Sequence, residues 1–406
     1  MNPILDSRYS WARLALSLSI STVGSVGMWS IIALMPAVQA EFGGGRGAAS
    51  LPYTLTMTGY ALGNVVWGRL LDRFGVIPVL MAAALLTALG YVLAAISPSM
   101  ATLAAGQAVI GLGAAAFFAP LMADISLWFR RRRGIAVGIA ASGNYLAGAI
   151  WPLALSGVLA ESGWRGVCWL LALLVPLLII PASLFLRRRL PAESLTAAAQ
   201  ATGRALREVP WSPRMMTWLL ALAGVACCVA MSMPQVHIVA FCVDLGYGPA
   251  VGAEMLSLML MGGVASRLVS GFVMDRLGGI PTLLIGSIGQ MVGLILYLPF
   301  DGLASLYVVS LIFGLSQGGI VPAYAIIIRE YLPAREAGAR VGFVIMATIL
   351  GMALGGWMSG WIYDASGSYQ LAFLNGIAWN ALNIGVMVTI LLRSRPRRPE
   401  TALAAA

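Results

Sequence analysis

The sequence contains no lysine and a single histidine, His237, and only 10% of its 406 residues are charged. A soluble domain has about 25% charged residues, so this chain cannot cover a globular surface with charge. Its 4 cysteines all lie in apolar segments without metal-ligand spacing, which argues against a zinc site. One histidine without a mid-span carboxylate also cannot supply the paired nucleophile and base, or the metal cluster, of an intramembrane enzyme.

Apolar residues dominate instead. Hydrophobic residues make up 60% of the chain, and the mean hydropathy is +0.89. The apolar runs have roughly 18 to 25 residues, the length at which a helix crosses a hydrocarbon core of about 30 Å. The chain is therefore predicted to be an integral membrane protein. Its net charge of +10 comes from arginines at the ends of the runs, which favours contact with a lipid bilayer over nucleic-acid binding.

Hydropathy and helix breakers predict an all-α fold with twelve membrane-spanning helices. These lie near residues 14–40, 51–71, 76–97, 100–128, 134–158, 165–186, 214–243, 250–274, 280–299, 302–331, 338–363 and 370–392. If both termini are cytoplasmic, every arginine except Arg46, Arg165 and Arg267 falls on the cytoplasmic side. Because cytoplasmic loops carry the excess of positive residues, this asymmetry predicts the orientation.

The two halves of the sequence repeat each other. The segment GRLLDRFG at 68–75 recurs as GFVMDRLG at 271–278, and further glycine pairs keep nearly the same spacing. The longest polar connection separates spans six and seven, so we expect an N-terminal bundle at 1–190, a cytoplasmic linker at 191–213, and a C-terminal bundle with a short basic tail at 214–406. Two pseudo-symmetric six-helix bundles with a site between them are typical of secondary transporters.

These motifs resemble the major facilitator superfamily. The repeated G-x-x-x-D-R-x-G is similar to the superfamily's cytoplasmic loop motif. The segments WFRRRRGIAVGIAASGNYLAG at 128–148, PQVHIVAFCVDLG at 234–246 and GGVASRLVSG at 262–271 resemble its monocarboxylate porter family, which includes bacterial lactate-type and oxalate/formate-type carriers. The resemblance implies alternating access in a bacterial inner (plasma) membrane, without a cofactor or metal. One copy holds a whole cavity, so a functional monomer is expected.

Two departures from the family bear on the cargo. The animal lactate carriers have an aspartate four positions before the span-eight arginine, where this chain has Gly263, and a span-one lysine, where it has Ala37. Proton coupling by that route is thus put in doubt. The oxalate carrier also uses a lysine in span eleven, whereas here that span has no cation beyond Arg340. One buried positive charge favours a small monocarboxylate, with or without a symported proton. Anion exchange of the oxalate/formate type, or a different small substrate, is the alternative.

Arg267 carries this prediction. It lies seven to eight residues inside span eight, about 11 Å deep at 1.5 Å per residue. Charged residues at such depth are costly, face a wet cavity, and mark substrate pathways. No acidic residue lies in the middle of any predicted span, so we expect the partner of Arg267 to be an organic anion. A fixed salt bridge is the structural alternative.

The repeat places Asn64 on span two opposite Arg267, with Tyr60 one helical turn away. Other candidates to line a substrate cavity are Phe117, Phe118, Asn144, Tyr145 and Tyr324. For each of these residues, ordinary helix packing is the alternative.

His237 is the only side chain with an ordinary titration range near neutrality, so it is the candidate for proton coupling, and a hydrogen-bonded structural histidine is the alternative. A further set of charged residues clusters at the cytoplasmic ends of spans two, four, five and eight, and we expect it to form a gate that latches in one state of the carrier. The set consists of Asp72, Arg73, Asp124, Arg130, Asp275 and Arg276.

Overall fold

The computed structural model describes residues 5–129, 133–188, 207–332 and 334–396, and this part of the chain is almost entirely helical. The helices are α1 (Arg8–Gly24), α2 (Val26–Phe42), α3 (Arg46–Phe74), α4 (Val76–Ala95), α5 (Met100–Ala114), α6 (Ala119–Trp128), α7 (Arg133–Leu184), α8 (Pro213–Asp244), α9 (Pro249–Leu277), α10 (Gly279–Leu296), α11 (Leu303–Gln317), α12 (Ile320–Tyr331), α13 (Ala334–Ser366) and α14 (Gln370–Arg393). Two short strands, β1 (Arg207–Glu208) and β2 (Arg395–Pro396), pair antiparallel. Arg130 and most of the predicted linker lie outside the described residues.

The surface of the helical body is apolar. Large side chains such as Leu392, Phe185 and Leu173 are 79%, 73% and 66% exposed on the outside of the helices. Contiguous exposed apolar surface of this kind is rare in soluble proteins. Among the described residues, ten helical segments are long and apolar enough to cross a membrane. The helical, membrane-embedded class predicted from composition is confirmed.

Three of the predicted spans are broken rather than continuous. The first is interrupted at Ser25, between α1 and α2. The fourth passes through a 3-10 turn at Ala115–Phe117 before α6 begins, and the tenth is interrupted at Gly318 and Gly319, between α11 and α12. A break in the helical ladder leaves backbone carbonyls without their usual partner, so these positions can accept hydrogen bonds from side chains.

Predicted spans five and six form one long helical segment, α7. Its backbone leaves the helical region at Gly163, where φ is 66° and ψ is −177°. Glycine tolerates this left-handed φ because it has no Cβ. Gly367, which separates α13 from α14, has a φ of 71°. The repeat places Gly163 and Gly367 at equivalent positions, so the turn inside α7 corresponds to the connection between α13 and α14.

The repeat inferred from the sequence is also present in the helix boundaries. A shift of 203 residues takes α3, Arg46–Phe74, onto α9, Pro249–Leu277. The same shift takes α5, Met100–Ala114, onto α11, Leu303–Gln317. The close packing of these pairs is repeated as well. A Cβ on Gly111 would collide with the carbonyl of Thr56, and one on Gly314 with the carbonyl of Met259, so glycine is required where these helices touch.

We call α1–α7 the N-terminal group and α8–α14 the C-terminal group. Most contacts between the two groups run along three lines: α3 with α13, α7 with α9, and α2 with α8. The first line contains close backbone approaches, since a Cβ on Gly360 would lie 2.7 Å from the carbonyl oxygen of Arg46 and one on Gly356 would lie 2.8 Å from the Tyr53 ring. Arg267 lies on the second line. The interface between the two groups therefore positions the candidate site.

Candidate functional site

Arg267 lies on α9 and faces the other group of helices. Its side chain is buried, with 6% of the residue exposed. Its Nε donates to the carbonyl of Gly318 at 3.3 Å, and its Nη1 donates to the carbonyl of Ala141 on α7 at 2.6 Å. The ion pairs among the described residues join Arg13 to Asp124, Arg46 to Asp244 and Arg165 to Glu41. None of the pairs in this part of the chain includes Arg267.

The local fold explains the two carbonyl partners. Gly318 follows the end of α11, at the break in the tenth span, and its carbonyl is therefore available to a side chain. Ala141 lies within α7 and belongs to the opposite group. Two of the three guanidinium nitrogens are thus held by backbone oxygens, and the Tyr145 hydroxyl also lies close enough to interact with the guanidinium. A guanidinium has five N–H donors, so unused donors remain for a carboxylate.

Tyr145 forms the floor beneath the guanidinium. The Cζ atom of Arg267 lies 4.1 Å from the centre of the Tyr145 ring, a cation–π contact across the interface. Gly263, one turn before Arg267 on α9, leaves room for this ring, since a Cβ there would lie 2.8 Å from it. The buried guanidinium lies on an aromatic face and has no carboxylate partner among the described residues. Its positive charge is therefore not neutralised, and the site favours binding of an anion.

Polar groups of the N-terminal group extend the site. Trp29 donates its indole N–H to the Oδ1 of Asn144 at 2.8 Å, and Asn144 also approaches the sulfur of Met28. The hydroxyl of Tyr60 is buried without a hydrogen bond, with Asn144 as its neighbour and Arg267 close enough to influence it electrostatically. The structure therefore brings three of the candidate residues, Tyr60, Asn144 and Tyr145, into the neighbourhood of Arg267.

The remaining predicted lining residues lie elsewhere. Asn64 turns its amide back to the carbonyl of Tyr60 on its own helix, at 2.9 Å. Phe117 is fully buried against Gly24, within the N-terminal group, and Phe118 is half-buried at the break before α6. Tyr324 belongs to a polar network inside the C-terminal group, where it accepts from Asn383 at 2.8 Å. The structure does not bring Phe117 or Tyr324 to Arg267.

Two glutamines that the sequence reasoning missed lie beside the site. Gln235 on α8 donates its Nε2 to the Oε1 of Gln317, the last residue of α11, at 2.7 Å. Both residues are completely buried, and the Oε1 of Gln235 and the Nε2 of Gln317 have no hydrogen-bond partner. A neutral amide in an apolar run gives no charge signal. The only sequence clue was its polarity within a span.

His237 is fully buried inside the C-terminal group. One ring nitrogen, Nε2, donates to the carbonyl of Gly356 at 2.7 Å, and Nδ1 accepts from the hydroxyl of Tyr369 at 3.1 Å. These contacts match the structural alternative for this residue. Within the described residues, no group of three or more His, Cys, Asp or Glu side chains is placed to hold a metal ion.

Among the predicted cytoplasmic gate residues, the structure describes the side chains of Arg73, Asp124, Asp275 and Arg276. Asp124 makes a two-pronged ion pair with Arg13. The Nε of Arg13 donates to Oδ2 of Asp124 at 2.8 Å, and the Nη2 of Arg13 donates to Oδ1 at 2.8 Å. Arg73 is exposed beside Phe74, and Asp275 and Arg276 are also exposed. For Asp72 only the backbone is described. The Arg13–Asp124 pair joins α1 to α6 within one group, so it does not connect the two groups.

A charged cluster does join the two groups at the opposite end of the molecule. Arg46, at the start of α3, donates to Asp244 at 2.5 Å and to Gln39 at 2.8 Å, and lies over the Tyr363 ring. Asp364 on α13 accepts from the backbone N–H groups of Arg46 and Gly47 at 2.6 and 2.7 Å. These residues, with Tyr363 and Gln39, are called the Arg46 cluster below. Four of them, Gln39, Arg46, Tyr363 and Asp364, line a cavity of about 440 Å³.

The comparisons with known proteins agree with this architecture. The chain matches the family model for the major facilitator superfamily in two overlapping stretches, residues 18–312 and 243–406. Monocarboxylate transporter 11 of Mus musculus is 30% identical over 320 residues, which cover 76% of this chain and 71% of that protein. This chain belongs to the monocarboxylate porter family of the major facilitator superfamily. The family prediction is confirmed, and the protein is a transporter rather than an enzyme.

Other relatives extend the comparison. Monocarboxylate transporter 13 of Bos taurus is 28% identical over 333 residues, covering 81% of this chain and 76% of that protein. A crystal structure of a bacterial homolog of the human lysosomal transporter Spinster covers 97% of both chains with a TM-score of 0.69 and 15% identity. At that identity the likeness establishes the fold alone.

Proposed function

We propose that this protein carries small monocarboxylates such as lactate or pyruvate across a bacterial inner membrane by alternating access, as a monomer. The observation that supports this most is the environment of Arg267. A buried guanidinium at the interface of the two groups has backbone oxygens and an aromatic ring as partners, and no carboxylate among the described residues. An arriving carboxylate would give it the charge-assisted, two-pronged partner that arginine favours.

We further propose twelve membrane crossings, two six-helix bundles at 1–190 and 214–406, and cytoplasmic termini. Ten segments of the described residues are long and apolar enough to cross a membrane. One of these segments contains 50 residues of α7, which is about 75 Å of helix. The helix α3 is not among the ten. The equivalence of Gly163 with Gly367 supports counting α7 twice, and the equivalence of α3 with α9 supports counting α3. The arginine asymmetry then places the Arg46 cluster outside.

In this topology, contacts between the two bundles support a state closed toward the outside. The Arg46 cluster, the contact of Thr54 with the carbonyl of Ala353 at 3.3 Å, and the approach of Gly356 to Tyr53 all join the two bundles at or toward the outer end. We propose that the cytoplasmic gate residues form their cross-bundle contacts in the opposite state, when the cavity opens outward. Each set of ion pairs then biases the equilibrium between the two states by the difference between its energies in those states.

The substitution Arg267→Gln tests the assignment. Purified protein in liposomes should lose uptake of labelled L-lactate by about 100-fold, because removal of one partner from a buried charge pair costs 2–5 kcal/mol. Arg267→Lys should recover uptake only partly, since lysine lacks the planar fork. Arg165→Gln serves as the control, because Arg165 contacts Glu41 within one bundle. Retained uptake in a folded Arg267→Gln variant would contradict the proposal.

The mode of coupling is a separate part of the proposal. Symport with a proton and exchange for an internal anion are both compatible with a single cationic anchor. The same liposomes distinguish them: an imposed pH gradient drives symport, whereas preloading with unlabelled lactate or oxalate drives exchange. The contacts of His237 with Gly356 and Tyr369 favour a coupling route in which the proton travels on the acid itself.

A further inference from the structure

The pair Gln235 and Gln317 leaves one donor and one acceptor unused inside the protein. A hydrogen bond of 2.7 Å joins Gln235 Nε2 to Gln317 Oε1. The other two amide atoms, Gln235 Oε1 and Gln317 Nε2, are buried without partners. Rotating both amides preserves the single bond and exchanges the roles of the free atoms. In either orientation, the pair keeps one unpartnered N–H donor and one unpartnered oxygen acceptor.

One of these free atoms, on Gln317, adjoins the anion site, and Gln235 is hydrogen-bonded to the same side chain. A Cβ on Gly263 would lie 3.7 Å from Gln317 Nε2 and 2.8 Å from the Tyr145 ring, so Gly263 separates the amide from the aromatic floor of Arg267. Gln317 also precedes Gly318, whose carbonyl accepts from Arg267 Nε. The guanidinium, the ring and the free amide therefore share one small region of the interface.

Access to the amides is controlled by the opposite bundle. Gln235, Gln317 and Arg267 belong to α8, α11 and α9, whereas Tyr145 belongs to α7 and covers this region from the N-terminal side. When the bundles rock apart, Tyr145 moves away with α7, and the face beside Gly263 opens to the cavity. Buried polar groups without partners are costly, so a state in which they gain partners is favoured.

We propose that Gln317 and Gln235 bind a second oxygen of the cargo, next to the carboxylate held by Arg267. A hydroxyl group both accepts and donates, so it satisfies both free atoms of the pair, whereas a keto oxygen satisfies only the donor. The cargo class is therefore a 2-hydroxy monocarboxylate, followed by a 2-oxo acid and then by an unsubstituted acid. This inference rests on the proposed function and makes it more specific.

A competition assay tests this order of preference among the acids without any substitution. Unlabelled acids compete with the uptake of labelled L-lactate by the wild-type protein in liposomes. L-Lactate should inhibit at concentrations at least tenfold lower than propionate, which has the same carbon chain without the hydroxyl, and pyruvate should fall between them. Sites that hydrogen-bond a substrate hydroxyl reject analogues lacking it by such factors or more. Equal potency of lactate and propionate would overturn the inference and leave monocarboxylate transport intact. If the wild type transports none of these acids, the proposed function itself fails.

The substitution Gln317→Met then assigns the selectivity to the amide. Methionine has nearly the same length and no amide, so lactate uptake should fall about tenfold while propionate uptake is retained. If Gln317→Met does not fold, Gln235→Met takes its place in the test and should have the same effect. Gln290→Met is the matched control, because Gln290 is also fully buried with an unpaired Oε1 but belongs to the network around Asn380. An equal loss for both acids, or no change, would show that the pair only supports packing or holds a buried water.

Discussion

The substitution Asp364→Asn should weaken the closed outer end of the carrier. Asp364 accepts two backbone N–H groups, from Arg46 at 2.6 Å and Gly47 at 2.7 Å, and both donors belong to the first turn of α3 in the other bundle. A carboxylate at an exposed helix N-terminus stabilises by about 0.3–1 kcal/mol. Asparagine keeps a carbonyl but removes the charge. A loss of about 1 kcal/mol would shift the closed-to-open ratio about fivefold.

Labelling of a cysteine inside the closed interface measures this shift. Ala353 is 4% exposed, and its carbonyl accepts from Thr54 across the interface. An Ala353→Cys variant that lacks the native cysteines would react with a membrane-impermeant maleimide only when the outer end opens. The labelling rate in liposomes should rise about fivefold when Asp364→Asn is added, in proportion to the open population.

Glu41→Gln is the matched control for this measurement. Glu41 also lies at the outer end and accepts from Trp164 at 2.7 Å and Arg165 at 2.6 Å, but these contacts stay within one bundle. This substitution removes the same charge without touching the cross-bundle contact, so the labelling rate should not change. An unchanged rate in Asp364→Asn, or an equal rise in both variants, would refute the role assigned to the Arg46 cluster.

Three further substitutions test parts of the structure. Asp124→Asn should lower the melting temperature by several degrees, since it breaks the buried pair with Arg13, a loss of about 3 kcal/mol that differential scanning fluorimetry would detect; an unchanged melting temperature would contradict it. Gly314→Ala should reduce the yield of folded protein, because its Cβ would meet the Met259 carbonyl, whereas Gly271→Ala, with nothing nearby, should not. His237→Gln should lower the melting temperature but leave the ratio of lactate uptake at acidic and alkaline pH unchanged; loss of that ratio would restore His237 as the proton site.

The helices and their repeat could be predicted because both depend on patterns that are continuous along the chain. Apolar runs and glycine spacing recur at a fixed offset, and the boundaries of α3 and α9 follow it. The breaks could not be predicted from hydropathy, which averages over a window longer than a single turn. Gly318 and Gly319 offered a local signal, since adjacent small residues favour kinks. Ser25 offered none.

From the sequence, the candidate site could be inferred only as far as charge marks it. Arg267 stands out as a cation in an apolar run, but its partner Ala141 lies 126 positions away and contributes only a backbone oxygen. Pairings of this kind depend on how the bundles dock. The same limit explains why the pairing of Asp124 with Arg13, 111 positions away, could not be predicted. Gln235 and Gln317 were missed because an uncharged amide resembles any other polar interruption of a span.

The bond from Arg267 to the carbonyl of Ala141 ties the cation of one repeat to the main chain of the other. Any movement that parts α7 from α9 must break it, because donor and acceptor travel with different halves. Arg267 then lacks one of its two oxygen partners. In the proposed mechanism, the carboxylate of an entering acid takes the place of the Ala141 carbonyl, so that substrate binding exchanges a peptide oxygen for a carboxylate oxygen.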